Sequence, residues 1–153
     1  MKGLAEGARA VLATNDMGAF FRPGRELYPF QWNWDSAFVA LGLAQVDPDR
    51  GRAEVRSLLK GQWADGMVPH IVFHVAAPDY SPGPELWDSQ GCDGAPEVPT
   101  SGLTQPPVLA TAVSVLHEAS PDRPFLEEVV PALELLHHLD PSAPPWSSSR
   151  SGT

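Results

Sequence analysis

A chain of 153 residues with 42% apolar content is long enough for one domain with a real core, and one domain is its ceiling. The formal charge of -9 and the scatter of only ten Lys and Arg exclude a protein that grips nucleic acid by neutralising its backbone, which takes clustered cations. A single cysteine, Cys92, excludes an internal disulfide, and no window approaches the roughly 18 to 20 apolar residues of a membrane span, so a soluble, cytoplasmic protein is expected.

The opening "MKGLAEGARAVLATND" has Glu6 and Arg9 interrupting its apolar residues, so it lacks the unbroken apolar stretch of a signal peptide. Leu4, Ala8, Val11 and Leu12 recur at helical spacing, which predicts a one-sided amphipathic helix ending near Asn15. "GAFFRPGRELYP" reads as a connector. From Asn33 to about Gln45, "NWDSAFVALGLAQ" is apolar on nearly every side of the wheel, the pattern of a helix covered all round. Asp47 or Asp49 can cap a third helix, "PDRGRAEVRSLLKGQWA", with Val55, Leu58, Leu59 and Trp63 as its apolar stripe and Arg52, Glu54, Arg56 and Lys60 on the solvated remainder.

Residues 65–105 form a long Pro- and Gly-rich segment with one short β-like run, Ile71 to Val75; loops of that length in a compact domain tend to carry function. "PPVLATAVSVLHEA", Pro106 to Ala119, is again apolar on almost every face. "DRPFLEEVVPALELLHHL" then sets Phe125, Val129, Ala132, Leu133 and Leu136 opposite Glu127 and Glu134, with Pro131 expected to kink it. The reading is all-α, five helices in the order one-sided, buried, one-sided, buried, one-sided. Concentric rings of helices or a layered bundle would each give that order. The tail "DPSAPPWSSSRSGT" has three prolines and five serines, which cannot build a core, so residues 1–139 are taken as the domain and 140–153 as a disordered tail.

The densest chemistry lies in "YPFQWNWDSAF", Tyr28 to Phe38. Trp32, Trp34 and Asp35 at a helix start fit a sugar site, because pyranoses offer apolar C–H faces to aromatic rings and hydroxyls to carboxylates and amides; core packing is the competing explanation of the same residues. "GQWADGMVPHI" adds Gln62, Trp63, Asp65 and His70, with Asp65-Gly66 a ready turn. His70 and His74 are four apart, but Pro69 and the β-branched neighbours oppose a helix there, so the two-histidine metal motif does not apply, and neither a metal nor a cofactor is expected. His117, His137 and His138 read as helix-surface residues. Tyr80 and Trp87, in the long segment, are candidates to fold over a substrate. No Gly-rich phosphate cradle, no G-x-S-x-G elbow and no Cys-His pairing is present.

Taken together and in order, "YPFQWNWDSAF", "LLKGQWADGMVPHIVF", "YSPGP" and "TSGLTQPPVLATAV" resemble the N-terminal part of a bacterial glycoside hydrolase of family 63, of the mannosylglycerate and glucosylglycerate hydrolase type, from about Gly18 to Leu136. The resemblance implies an (α/α)6 barrel of twelve helices, of which this chain would supply about five. It implies that Tyr28, Trp32, Trp34 and Asp35 line a sugar subsite at the barrel mouth, with Tyr80 on a mobile loop, Gln105 contacting substrate and His70 a further contact. It also implies an inverting mechanism, in which one carboxylic acid protonates the glycosidic oxygen while a second carboxylate activates water. The family carries its acid in a later W-E-S-G-x-D-N-S motif and its base nearer the C-terminus, and neither stands in this sequence. The expectation is a family-derived chain, cut short by a stop, a frameshift or a split gene, that is inactive alone. It would bind a small sugar or glycoside, and would associate through uncovered inner helix faces or with a separately encoded C-terminal part. A trehalase-like or oligosaccharide glucosidase relative, or a non-catalytic sugar-binding module, are the alternatives.

Overall fold

A computed structural model describes residues 2–138; the expectation of a disordered tail at 140–153 falls outside the described residues. Eight elements follow in chain order: α1 (Lys2–Asn15), β1 (Gln31–Trp32), α2 (Asn33–Leu43), α3 (Pro48–Leu59), β2 (Ile71–Val72), α4 (Pro84–Trp87), α5 (Leu109–Ala119) and α6 (Arg123–His137). The protein is mostly helical, with one two-stranded antiparallel sheet pairing Gln31 with Val72 and Trp32 with Ile71. Among the described residues no helix is long and apolar enough to cross a membrane.

The core lies where α2, α3 and α5 meet, with α6 laid against them. Ala37, Ala40 and Ala112 are fully buried there beside Val55, Leu58, Leu109, Leu116 and Phe125. Small residues let the backbones approach closely: a Cβ added at Gly51 of α3 would stand 2.6 Å from a Leu116 methyl of α5. Asp47 caps α3 by accepting the Arg50 N–H at 3.0 Å, and Asp122 caps α6 by accepting the Phe125 N–H at 3.0 Å. Pro131 sits on the exposed side of α6, which continues through it as one element.

Four expectations need correction. Among the described residues the five helices become six, because α4, a single turn, forms inside the long segment. α2 is not covered all round: it buries Asn33, Ser36, Ala37, Ala40 and Leu43 but exposes Trp34 and Phe38 on its other side. α3 is not one-sided, since Arg52 and Glu54 are as buried as its apolar stripe. The reason is that each charge has found internal partners: Arg52 reaches Asp49, Asp122 and Ser120, while Glu54 collects donors from three segments. Finally, the apolar stripe of α1 packs on little, with Leu4 and Val11 exposed.

The long segment is pinned rather than loose. Trp63 donates its indole N–H to the Thr100 hydroxyl at 2.9 Å, the Phe73 N–H bonds Pro99 O at 2.9 Å, and isolated bridges join Val72 to Thr100 and Pro69 to Thr104. These bonds bring Gln105, distant in sequence, beside the start of α2.

Candidate sugar-binding cleft

The β1–α2 junction lacks a capping side chain of its own, because Trp32 occupies the cap position. Gln105 supplies the missing acceptor: its Oε1 accepts the Trp34 N–H at 3.0 Å. That bond fixes the carboxamide against the helix start and leaves the NH2 of the same side chain for the cleft beside it. The cleft has a volume of about 300 Å³ and is lined by Pro23, Tyr28, Trp32, Trp34, Asp35 and Gln105.

Its aromatic wall is built in two layers. Trp32 is buried in a cluster with Phe30, Ile71 and Phe73, and Tyr80 meets it edge-on at 5.9 Å and Phe30 at 5.0 Å. Tyr28 stands edge-on to Trp32 at 5.3 Å, and Trp34 meets Phe38 one turn along α2 at 6.3 Å. Core packing accounts for Trp32 but not for its neighbours, since Tyr28 is 47% and Trp34 42% exposed. Large rings held at a surface cleft are surfaces for something else.

Asp35 lies in the first turn of α2, half-buried. Burial pushes its carboxyl above the usual range, partly offset by its own backbone N–H and the Trp34 side chain. A carboxylate, a carboxamide and aromatic faces around one small cleft can accept and donate hydrogen bonds to vicinal hydroxyls while covering a C–H face.

Among the residues singled out in the sequence, Tyr28, Trp32, Trp34, Asp35 and Gln105 all line this cleft, and Tyr80 supports Trp32 from the side. His70 does not line it. Its Nδ1 lies 2.8 Å from the Ser101 hydroxyl, its ring meets Trp87 at 5.4 Å, and burial lowers its pKa, so it anchors the long segment. Two residues escaped sequence reasoning. Pro23, in the connector, carries no chemical signal. Glu54 lies below the junction, fully buried, and its carboxyl is pushed up to about 7 by burial against the bonds it accepts; its only sequence signal was a charge beside Val55 and Leu58.

Residues 28–139 match the model of the mannosylglycerate hydrolase MGH1-like glycoside hydrolase domain. The chain belongs to this family. It is 45% identical to mannosylglycerate hydrolase MGH1 of Selaginella moellendorffii over 143 residues, 92% of this chain and 27% of that protein. It is 53% identical to mannosylglycerate hydrolase of Thermus thermophilus over 114 residues, 74% of this chain and 27% of that protein. Glucosylglycerate hydrolase of Mycolicibacterium hassiacum is 45% identical over 117 residues, 75% of this chain and 26% of that protein. Among solved structures, a family 63 mannosylglycerate hydrolase of Thermus thermophilus in complex with Tris and D-glycerate superposes with a TM-score of 0.78 at 46% identity, over 88% of this chain and 32% of that one. The chain spans about a quarter of the length of these curated relatives. The cleft falls within the family match, apart from Pro23.

Proposed function

We propose that this chain supplies the substrate-holding wall of an inverting glycosidase for small α-glycosides such as mannosylglycerate or glucosylglycerate, as part of an (α/α)6 ring of helices. The observation that carries the reading is the meeting of Tyr28, Trp32, Trp34, Asp35 and Gln105 around one cleft. Tyr28 and Trp34 offer faces to the apolar side of the ligand. Asp35 and the Gln105 NH2 address its polar rim. Hydrolysis with inversion takes two carboxyl groups roughly 6.5 to 9.5 Å apart, one to protonate the leaving oxygen and one to activate water. Asp35 is the single carboxyl lining the described cleft, so the chain by itself binds without cleaving.

Isothermal calorimetry with mannosylglycerate, glucosylglycerate, D-glycerate and trehalose, beside a hydrolysis assay on the same samples, tests this. The expected result is binding of a glycosylglycerate that Trp34→Ala and Asp35→Asn each weaken, without protein-dependent release of sugar. Preference for trehalose would favour a trehalase-like relative. No binding of any of the four would sink the reading.

A second reading, self-association or docking with a separately made remainder of the ring, draws on the uncovered side of α2 and on an apolar groove of about 540 Å³ between α5 and α6. Concentration-dependent sedimentation that Phe38→Asp abolishes is its expected signature.

A further inference from the structure

Glu54 is fully buried on α3, yet its carboxylate accepts hydrogen bonds from three segments that meet beneath the cleft. Its Oε1 accepts the Ser36 hydroxyl of α2 at 2.6 Å and the Gln31 Nε2 of β1 at 2.8 Å. Its Oε2 accepts the Phe21 N–H of the preceding connector at 2.9 Å. Gln31 is held from its other end as well, since its Oε1 lies 2.6 Å from His74 Nε2, and its Nε2 also reaches Glu54 O at 3.2 Å. With its NH2 facing the carboxylate, Gln31 presents an oxygen to His74, which must therefore carry its proton on Nε2. Gln31 and Ser36 immediately flank the cleft residues Trp32 and Asp35.

We propose that Glu54 is the positioning residue of the cleft, holding the Trp32–Asp35 segment in place through Gln31 on one side and Ser36 on the other. The inference rests on the sugar-binding reading for its purpose, while the coupling itself is independent of any ligand. The mechanism lies in which partners can reverse. Phe21 N–H and Gln31 Nε2 can only donate, and the Glu54 backbone O, which accepts from the same Nε2 at 3.2 Å and cannot donate, opposes a turning over of the Gln31 amide. When Glu54 takes up a proton, the Ser36 hydroxyl is the neighbour able to turn from donor to acceptor. Protonation of Glu54 thus rewrites one bond, at the residue next to Asp35.

The charges facing Glu54 are few. Arg50 Nη1 lies 3.8 Å from Oε2, while Nη2 of the same guanidinium holds Asp16 Oδ1 at 2.7 Å. His74 stands across Gln31, with Lys60 acting on it. Burial holds the His74 ring neutral down to about 4, so Glu54 is the member of the network that changes charge near pH 7.

The test is an NMR pH titration of the chain with 13C-labelled glutamate carboxyls and 15N-labelled indoles, in the native protein, Glu54→Gln and Ser36→Ala. In the native protein the Trp32 and Trp34 indole signals should move with the same midpoint as the Glu54 carboxyl. Ser36→Ala removes a bond to the charged form, so both midpoints should rise together. Glu54→Gln should leave the indoles still across that range and weaken mannosylglycerate binding about tenfold. Indoles that titrate unchanged in Glu54→Gln would overturn the proposal. So would a Ser36→Ala carboxyl midpoint that moves without the indoles, which decides the matter even if Glu54→Gln does not fold. If mannosylglycerate binds none of the proteins while the midpoints stay coupled, the positioning role stands and the sugar reading falls.

Discussion

Replacing Glu54 with glutamine keeps the length of the side chain but removes the carboxyl that burial pushes from 4.5 to about 7. Between those pH values the folded chain holds a proton that the unfolded chain has released, so this group's contribution to stability falls as pH rises through that window. At about 1.4 kcal/mol per pH unit, the displacement amounts to about 3 kcal/mol. His74 runs the other way. Burial lowers it from 6.5 to about 4, so the unfolded chain binds a proton that the folded chain lacks and stability rises with pH across that range. Allowing for its partial exposure, its contribution is about 2 kcal/mol. In the native chain the two slopes largely offset each other from about pH 4.5 to 6.5, one proton residing on Glu54 when folded and on His74 when unfolded. Urea unfolding followed by tryptophan fluorescence, repeated from pH 4.5 to 7.5, separates them. The stability of Glu54→Gln relative to the native chain should gain about 3 kcal/mol over that range, and that of His74→Gln should lose about 2 kcal/mol. Differences that stay constant to within about 0.5 kcal/mol across the range would refute the reasoning.

Gly66 has φ of 98°, and an added Cβ would stand 2.6 Å from the Leu135 carbonyl carbon and oxygen, so Gly66→Ala should cost more than about 2 kcal/mol; a thermal melt unchanged from the native one would contradict this. Asp47→Ala removes the cap of α3 and should cost about 1 kcal/mol in urea unfolding, while Asp47→Asn retains most of it. Gln105→Ala removes both the acceptor for Trp34 N–H and a cleft amide, so it should lower stability by about 1 kcal/mol and weaken glycosylglycerate binding about tenfold. Calorimetry and melting on the same sample would show whether the two losses travel together.

The helices were legible where a pattern ran for several turns. α1, α3 and α6 announced themselves by period, and α3 also by the aspartates at its start, Asp47 or Asp49, of which Asp47 is the cap. β1 was not, because two residues show no period, and its pairing with Ile71 and Val72 is a long-range event. α4 is a single turn whose Pro84 start lay inside a stretch read as loop. In the cleft, Tyr28 to Asp35 were visible because they are close in sequence and unusual in composition. Gln105 was not reachable from spacing, and came from the family resemblance. Glu54 was hidden for a physical reason. A wheel sorts residues by type, so a carboxylate that has found three internal donors looks the same as one facing water.

The pinning of the long segment also bears on how such proteins diversify. The bond from Phe73 N–H to Pro99 O and the Val72–Thr100 bridge bring the two ends of residues 73–99 side by side on the core. Closing a flexible excursion costs only about 0.6 kcal/mol more for each doubling of its length. Residues inserted or lost at the exposed turns of the segment, away from the Ala64–Gly94 bond and the Tyr80 contacts that pin it, therefore alter what stands around Trp87 at little expense to α2, α3 and α5. The surroundings of the cleft can change with the length of this segment while the helical frame beneath stays as it is.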